Sequence, residues 1–180
     1  MISTRARFIF EPRRSIRYLS AKGPSVKKHS ERMRLPYTAA QVYAVVEDVG
    51  SYKEFVPWCL TSRMLPPDFE SAGAVKAELE VGFGVFKEKY TSLISLNPPR
   101  SIEVRSADTS VLDFLETKWQ FLPIKGDPQT QECWVTFNVQ FRFKSQVHDH
   151  VSGYMMDQIV QSMGQAFRDR CRAMYAHANK

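Results

Sequence analysis

Residues 146–179 read QVHDHVSGYMMDQIVQSMGQAFRDRCRAMYAHAN, and this stretch decides the fold. The spacing of its apolar residues predicts one long amphipathic helix with a broad apolar face. Such a face must pack against another apolar layer, so the helix needs a partner elsewhere in the chain. Methionine adapts to varied neighbours, so this stripe fits either a packed core or the roof of a cavity. The residues that recur every fourth position are Val147, Val151, Met155, Ile159, Met163 and Phe167.

The partner is predicted by about seven segments ahead of the helix that alternate apolar and polar residues. Residues 74–83 show this most clearly, with Val75, Leu79 and Val81 on one face. Because short turns join consecutive segments, the pattern is typical of an antiparallel meander with one covered face. The predicted strands are 30–37, 59–65, 74–83, 86–96, 101–107, 115–121 and 133–144.

Two short helices are predicted between the first and second strands. Thr38 followed by Gln41 matches a capping box, which marks a helix start. Residues 48–51 stop that helix, and residues 52–55 add a short turn before Pro57. The predicted fold is α+β of the helix-grip type. A curved antiparallel sheet of six to seven strands wraps around the long C-terminal helix, and two short helices follow the first strand.

Charge is concentrated at the N-terminus. Residues 1–30 hold eight Lys and Arg residues and one acidic residue, Glu11, whereas the rest holds 17 basic and 18 acidic residues. The net charge of +6 therefore gives no support to nucleic-acid binding by the folded part. A basic, acid-poor segment predicts a mitochondrial targeting presequence over 1–30 and a folded domain over 31–180. A disordered basic tail is the alternative.

Signatures of catalysis and metal binding are missing from the sequence. It contains no G-x-S-x-G, H-E-x-x-H, P-loop or dinucleotide fingerprint. Cys59, Cys133 and Cys171 are widely spaced, which predicts buried thiols in a reducing compartment. His148 and His150 are two residues apart and do not share a helix face, which disfavours a metal site. We expect a protein that is not an enzyme and holds no metal or catalytic cofactor.

Two turns carry apolar residues. Residues 82–86 place two phenylalanines at a bend in which Gly82 and Gly84 flank Phe83, and residues 111–114 follow a polar turn with Val, Leu and Phe. Apolar loop tips are tolerated where they are buried, face a partner or touch lipid. These loops are therefore candidates for a gate at a cavity mouth that rests on a bilayer, or for ordinary packing against the helices.

Three blocks resemble one known family. Residues 52–59 (YKEFVPWC), residues 79–83 with 88–92 (LEVGF and EKYTS) and residues 115–121 (LETKWQF) resemble the mitochondrial coenzyme Q-binding proteins. That family belongs to the START-like, polyketide cyclase-related superfamily, and the resemblance covers roughly residues 31–178. This chain departs from it at Asp108-Thr109, where many relatives have Asp-Gly, and at Val111-Leu112, where they have Leu-Phe.

The resemblance implies a hydrophobic tunnel that binds ubiquinone and related polyprenyl lipids. It implies a lipid chaperone for respiration and ubiquinone biosynthesis, peripheral on the matrix side of the inner mitochondrial membrane. Respiratory or quinone-biosynthesis complexes are candidate partners, and nucleic acid is not expected. Strand parity and family analogy together give the expected ligand-binding residues, of which Trp58, Tyr90 and Trp119 would face the head group. They are Phe55, Trp58, Leu79, Val81, Phe83, Tyr90, Leu112, Trp119, Met155, Ile159 and Met163.

Two alternatives stay open. One is a cyclase or aromatase of the polyketide type, which requires polar groups converging inside the cavity. The other is an interaction protein, since bacterial relatives are described as ribosome-associated. That role predicts a basic patch on residues 31–180, and the near-neutral charge of this part disfavours one.

Overall fold

The computed structural model describes residues 25–67, 74–83, 86–107, 109–124 and 131–176. For residues 83, 86, 107, 146–157, 159 and 160 it describes the backbone alone. In chain order the elements are β1 (Lys27–Leu35), α1 (Ala39–Glu47), a 3₁₀ turn (Val49–Ser51), α2 (Tyr52–Phe55), β2 (Cys59–Met64), β3 (Val75–Phe83), β4 (Phe86–Asn97), β5 (Ser101–Ala107), β6 (Leu112–Pro123), β7 (Cys133–Phe143) and α3 (Gln146–Tyr175).

The seven strands form one antiparallel sheet in the order β1-β7-β6-β5-β4-β3-β2. Each strand from β2 to β7 therefore lies beside its neighbour in sequence, and β1 closes the far side against β7. The inward residues of β7 are all buried, whereas Arg142 on its outer face is exposed. This alternation produces one covered face, and the α+β helix-grip prediction is confirmed.

Helix α1 begins at the predicted capping box. The Thr38 hydroxyl accepts a hydrogen bond from the Gln41 amide at 3.1 Å, and the Gln41 side chain accepts one from the Thr38 amide at 2.9 Å. Such caps contribute about 1 kcal/mol each. They fix where the helix starts, and so its buried face of Val42, Val45 and Val46 meets the sheet.

An aromatic cluster joins α3 to the inner face of the sheet. The Trp119 ring lies 4.3 Å from the Phe137 ring and 4.8 Å from the Phe167 ring, centroid to centroid. Phe167 and Cys171 of α3 are fully buried in the same core. The C-terminal half of α3 therefore closes one end of the sheet with close-packed side chains.

Polar contacts hold this half of α3 in position. Arg168 pairs with Glu31 of β1 at 2.7 Å, and the Tyr175 hydroxyl donates to the Gln41 carbonyl at 3.2 Å. A Cβ on Gly164 would lie 2.8 Å from a Glu31 carboxylate oxygen. A side chain at this position would therefore displace the Glu31 carboxylate that pairs with Arg168.

Three boundaries differ from those predicted. Strand β1 begins at Lys27, because residues 27–30 pair in register with 138–141 of β7, so the sheet takes in residues 27–30 of the predicted presequence. Strand β6 begins at Leu112, three residues before the predicted start at 115, with a shift of register between Leu112 and Phe114. Helix α3 ends at Tyr175, short of the predicted Asn179. Residues 1–24 lie outside the described residues, so the targeting role stays a prediction.

Candidate ligand-binding cavity

A cavity of about 280 Å³ lies between the inner face of the sheet and α3. Its floor is formed by Ile102, Trp119, Phe137 and Phe167, which are nearly inaccessible to solvent. Most of its lining is aliphatic or aromatic, as in pockets for apolar ligands. The aliphatic wall residues are Val49, Val56, Leu79, Val81, Ile94, Val104, Val111, Leu112, Leu115, Val139 and Met163.

One end of the cavity, which we call the mouth, is lined by residues that also reach solvent. Trp58 lines it with 38% of its surface exposed, and its backbone adopts a φ of 68°. A bulky residue in the left-handed region costs roughly 1–2 kcal/mol and is typical of functional sites. The Gly82 amide donates to the Trp58 carbonyl at 2.9 Å, which ties this turn to β3.

Gly82 has a packing reason for being glycine. A Cβ at this position would lie 2.6 Å from a methyl carbon of Leu60, which is itself 45% exposed. A side chain at Gly82 would therefore push the Leu60 side chain out of its present position beside the mouth. The result is an apolar rim of Trp58 and Leu60.

Glu88 at the mouth holds the turn between β5 and β6. Its carboxylate accepts hydrogen bonds from the Thr109 hydroxyl, from the Ser110 amide at 2.6 Å and hydroxyl at 2.7 Å, and from the Val111 amide at 3.1 Å. Burial alone raises the pKa of Glu88, but these hydrogen bonds outweigh it and hold the pKa below its ordinary value. On the other side of the turn, the Lys144 amide donates to the Val111 carbonyl at 2.9 Å.

Two tyrosines and a thiol lie in the wall near the mouth. Burial raises the pKa of both Tyr52 and Tyr90, so their hydroxyls stay neutral and can donate hydrogen bonds. The Tyr52 hydroxyl already donates to the Val46 carbonyl at 2.5 Å. Burial also raises the pKa of the Cys59 thiol, which disfavours the reactive thiolate.

Three small hydroxyl side chains interrupt the apolar lining on the central strands. Ser92 of β4, Ser106 of β5 and Thr117 of β6 all line the cavity. Ser92 is 2% exposed, and the other two are half-buried. Thr117 lies next to the Trp119 floor along the inward-facing row of β6, and Ser92 and Ser106 pair with each other one step further towards the mouth.

Most of the predicted binding residues that can be placed surround this cavity. Phe55 is not in its lining; its ring packs 5.3 Å from Phe167 and lies under Arg170 at 5.1 Å. The side chains of Phe83, Met155 and Ile159 lie outside the described residues. For all of the predicted binding residues, contact with a ligand stays a prediction. Those that line the cavity are Trp58, Leu79, Val81, Tyr90, Leu112, Trp119 and Met163.

Glu88 and the three hydroxyl residues were missed as site residues. Strand parity carried the signal, since residues 88, 90, 92 and 94 of β4 must share one face. Glu88 was obscured because it stands between Lys87 and Lys89, which resembles a solvated strand. A carboxylate at an inward position of an alternating strand is the pattern that would have identified it.

Comparison with known proteins places the chain in a family. Residues 35–168 match the family model described as polyketide cyclase / dehydrase and lipid transport. Coenzyme Q-binding protein COQ10 homolog B of Xenopus laevis is 38% identical over 82% of this chain and 59% of its own length. The coenzyme Q-binding protein COQ10 of Drosophila melanogaster is 34% identical over 81% of this chain and 60% of its own length. The chain thus spans about 60% of the length of these two curated relatives.

Bacterial relatives also match. The ribosome association toxin RatA of Pseudomonas aeruginosa is 30% identical over 78% of this chain and 92% of that protein. Among solved structures, a START superfamily protein of Mycobacterium smegmatis superposes with a TM-score of 0.68, covering 82% of this chain and 98% of that one at 11% identity. The ZhuI aromatase/cyclase of a Streptomyces species superposes with a TM-score of 0.67. The match covers 87% of this chain and 97% of that one, at 14% sequence identity.

At such low identity the two solved structures show the fold alone, whereas the family model and the curated relatives cover most of this chain at sequence level. The resemblance of the chain to coenzyme Q-binding proteins is confirmed by these matches. The chain therefore belongs to the START-like polyketide cyclase and lipid transport family, as a relative of the coenzyme Q-binding proteins.

Proposed function

We propose that this protein binds ubiquinone in the cavity and carries it as a lipid chaperone, without catalysing a reaction on it. The observation that carries the proposal is an apolar cavity, between sheet and helix, in a chain whose curated relatives are named coenzyme Q-binding proteins. The proposed role is to support respiratory electron transport and ubiquinone biosynthesis in the mitochondrion.

The lining suits the two parts of such a lipid. A polyprenyl tail needs only apolar wall, since each Å² removed from water contributes about 25 cal/mol. Leu79, Val81 and Met163 provide such wall. A quinone ring needs a flat neighbour and donors for its carbonyl oxygens, and Trp119 and Tyr90 offer these.

The polar groups of the cavity favour binding over catalysis. Among the described lining residues Glu88 is the one carboxylate, and its oxygens are already hydrogen-bonded to the β5–β6 turn. Neither a histidine nor a second carboxylate lies beside it in that lining. In the described part of the chain, no group of three His, Cys, Asp or Glu residues could hold a metal ion.

The mouth supports peripheral contact with a membrane, for which we propose the matrix side of the inner mitochondrial membrane. Trp58 and Leu60 present exposed apolar surface beside the opening, where a lipid would enter. Tryptophan is favoured at membrane interfaces because its ring is amphipathic. No helix in the described ranges is both long and apolar enough to cross a bilayer.

The outer face of the sheet gives little support to a ribosome-binding role. Its basic side chains pair with acidic neighbours across strands, as Lys89 does with Glu78 at 3.0 Å and Lys118 with Glu103 at 2.7 Å. Such pairing cancels the positive charge locally, so these side chains do not form the basic patch that binding to RNA phosphates requires.

Lipid extraction from the protein purified out of quinone-containing cells tests the proposal. The wild-type protein should release ubiquinone, and Leu79→Asp should release almost none, because a carboxylate then faces the lipid. Ser95→Asp, which adds the same charge at an exposed position of β4, is the matched control and should retain ubiquinone. Equal ubiquinone in folded Leu79→Asp would reject the cavity as the binding site.

A further inference from the structure

The three cavity hydroxyls lie on neighbouring strands. Ser92 of β4 stands directly opposite Ser106 of β5 in the antiparallel register. Thr117 of β6 stands opposite Val104, which is the inward residue next to Ser106 on β5. Ser92, Ser106 and Thr117 therefore form one oblique polar stripe across three strands of the inner face, and we call it the hydroxyl stripe.

The stripe has unused hydrogen-bonding capacity. Ser106 accepts a hydrogen bond from the Leu115 amide at 2.8 Å, and this contact does not use the Ser106 hydroxyl hydrogen. Within the described ranges, no residue is seen to hydrogen-bond with the hydroxyl of Ser92 or Thr117. Both hydroxyls belong to cavity-lining residues, and a hydroxyl that faces a cavity usually meets water, a ligand or another polar atom.

The surroundings of the stripe define its depth. Thr117 is two residues from Trp119 along β6, so both point inward and the indole lies on the floor side of the stripe. On the other side are the mouth residues Trp58 and Leu112, beside Glu88, whose carboxylate is already hydrogen-bonded to the β5–β6 turn. Ser92 and Thr117 thus lie deeper than the mouth residues Trp58 and Leu112, and Tyr90 lies between Glu88 and Ser92 along β4.

We infer that Ser92, Ser106 and Thr117 form a subsite for an oxygen-bearing ring, so that a prenylated quinone enters ring first. The inference rests on the proposed function and specifies the orientation of its ligand. The ring lies beside Trp119, and its carbonyl or methoxy oxygens accept hydrogen bonds from the stripe. The prenyl tail then extends past Leu112 and Trp58 towards the membrane.

The opposite orientation leaves the stripe poorly matched. A tail inserted first would place hydrocarbon against three hydroxyls, which then lose their water without gaining a partner. The ring-first orientation pairs these hydroxyls and also keeps the long apolar tail continuous with the apolar rim of Trp58 and Leu60.

Tryptophan fluorescence can report the orientation, because a quinone ring quenches an indole that it contacts. The Trp58→Phe/Trp134→Phe protein retains Trp119 alone among the three tryptophans. Titration with decylubiquinone should quench this emission saturably. Adding Ser92→Ala and Thr117→Val should weaken binding by about three- to tenfold for each hydrogen bond lost.

A matched control removes hydroxyls outside the cavity. Ser95→Ala and Thr136→Val make the same chemical changes on the outer face of β4 and β7 and should leave affinity unchanged. If the stripe variant does not fold, the Trp119 quenching in the protein with intact hydroxyls decides the orientation by itself.

The outcomes separate the two proposals. Saturable binding with unquenched Trp119 emission and no loss of affinity in the stripe variant would overturn the ring-first subsite while leaving ubiquinone binding intact. No binding of decylubiquinone by the wild-type protein, measured by calorimetry, would overturn the proposed function and the subsite with it.

Discussion

The two ends of the sheet's inner face share one sequence pattern and have different interiors. At the closed end, Val135, Phe137 and Phe167 are almost completely buried in close-packed side chains. Towards the mouth, inward residues of the neighbouring strands, such as Val104 of β5 and Thr117 of β6, are half-buried against a cavity. The difference teaches that alternation selects the inner face, whereas side-chain size and the covering helices decide whether that face is filled.

The largest expected effect lies at the closed end. Phe167→Ala should destabilise the protein by about 3–5 kcal/mol, because it removes a buried ring that contacts Trp119 and leaves a void. Chemical denaturation of the variant and of wild type measures this. A loss below about 1 kcal/mol would mean that the closed end is not tightly packed, and the contrast between the two ends would disappear.

Overpacking compares the two ends directly. Val135→Phe adds a ring at a fully buried position outside the cavity lining and should cost about 1–3 kcal/mol. Val104→Phe makes the same change on the cavity wall and should cost less than about 1 kcal/mol, because the ring has space to occupy. Equal costs in denaturation would contradict the difference in packing.

The mouth is expected to depend on pH through Glu88. Its folded pKa lies below the ordinary value of 4.5, so its stabilisation is complete above that value and is lost as pH falls through the folded pKa. Glu88→Gln should therefore cost about 1–2 kcal/mol at pH 7 and progressively less in acid. Urea unfolding at pH 7 and pH 3.5 measures both costs, and a cost that grows in acid would refute the assignment.

The smallest expected effect lies on the outer face, which serves as the reference for both ends. Lys118→Ala breaks an ion pair with Glu103 in which the two side chains are 46% and 42% exposed. Solvent screens such pairs, so the change in unfolding free energy should stay within about 0.5 kcal/mol. A larger loss would show that the outer charges contribute to stability as much as the inner face.

The fold was largely predictable because periodicity reports which side chains are buried. Each local pattern predicts one type of secondary structure. The apolar stripe through Met163 and Phe167 and the Thr38 capping box predict helices, and the alternation in β3 and β7 predicts strands. The start of β1 was missed because Lys27 and Lys28 resemble a charged tail, and only the pairing with β7 reveals a strand there.

The site was predictable in part. Parity identified Leu79, Val81 and Tyr90 as inward residues, but a period gives direction and not depth, so it could not say where the cavity is empty. Phe55 was placed in the site by its block, whereas the packing of α2 turns its ring towards Phe167. These features depend on contacts between distant segments.

The hydrogen bonds of Glu88 at the mouth also could not be predicted from the sequence. Glu88 holds residues 109–111, which are 21 to 23 positions away in the chain. Similarly, Trp58 combines a left-handed backbone with a hydrogen bond from the Gly82 amide, and a tryptophan in the sequence does not predict that conformation. Only the assembled sheet brings these groups together.

Native mass spectrometry of the full chain, purified from quinone-containing cells, tests most directly whether the cavity end is a lipid site. The account predicts a folded wild-type protein that carries the added mass of one ubiquinone, and a folded Val104→Phe variant that does not, because the new ring occupies space that the lipid needs. A wild-type protein without bound lipid, or a Val104→Phe variant with undiminished ubiquinone, would contradict the account.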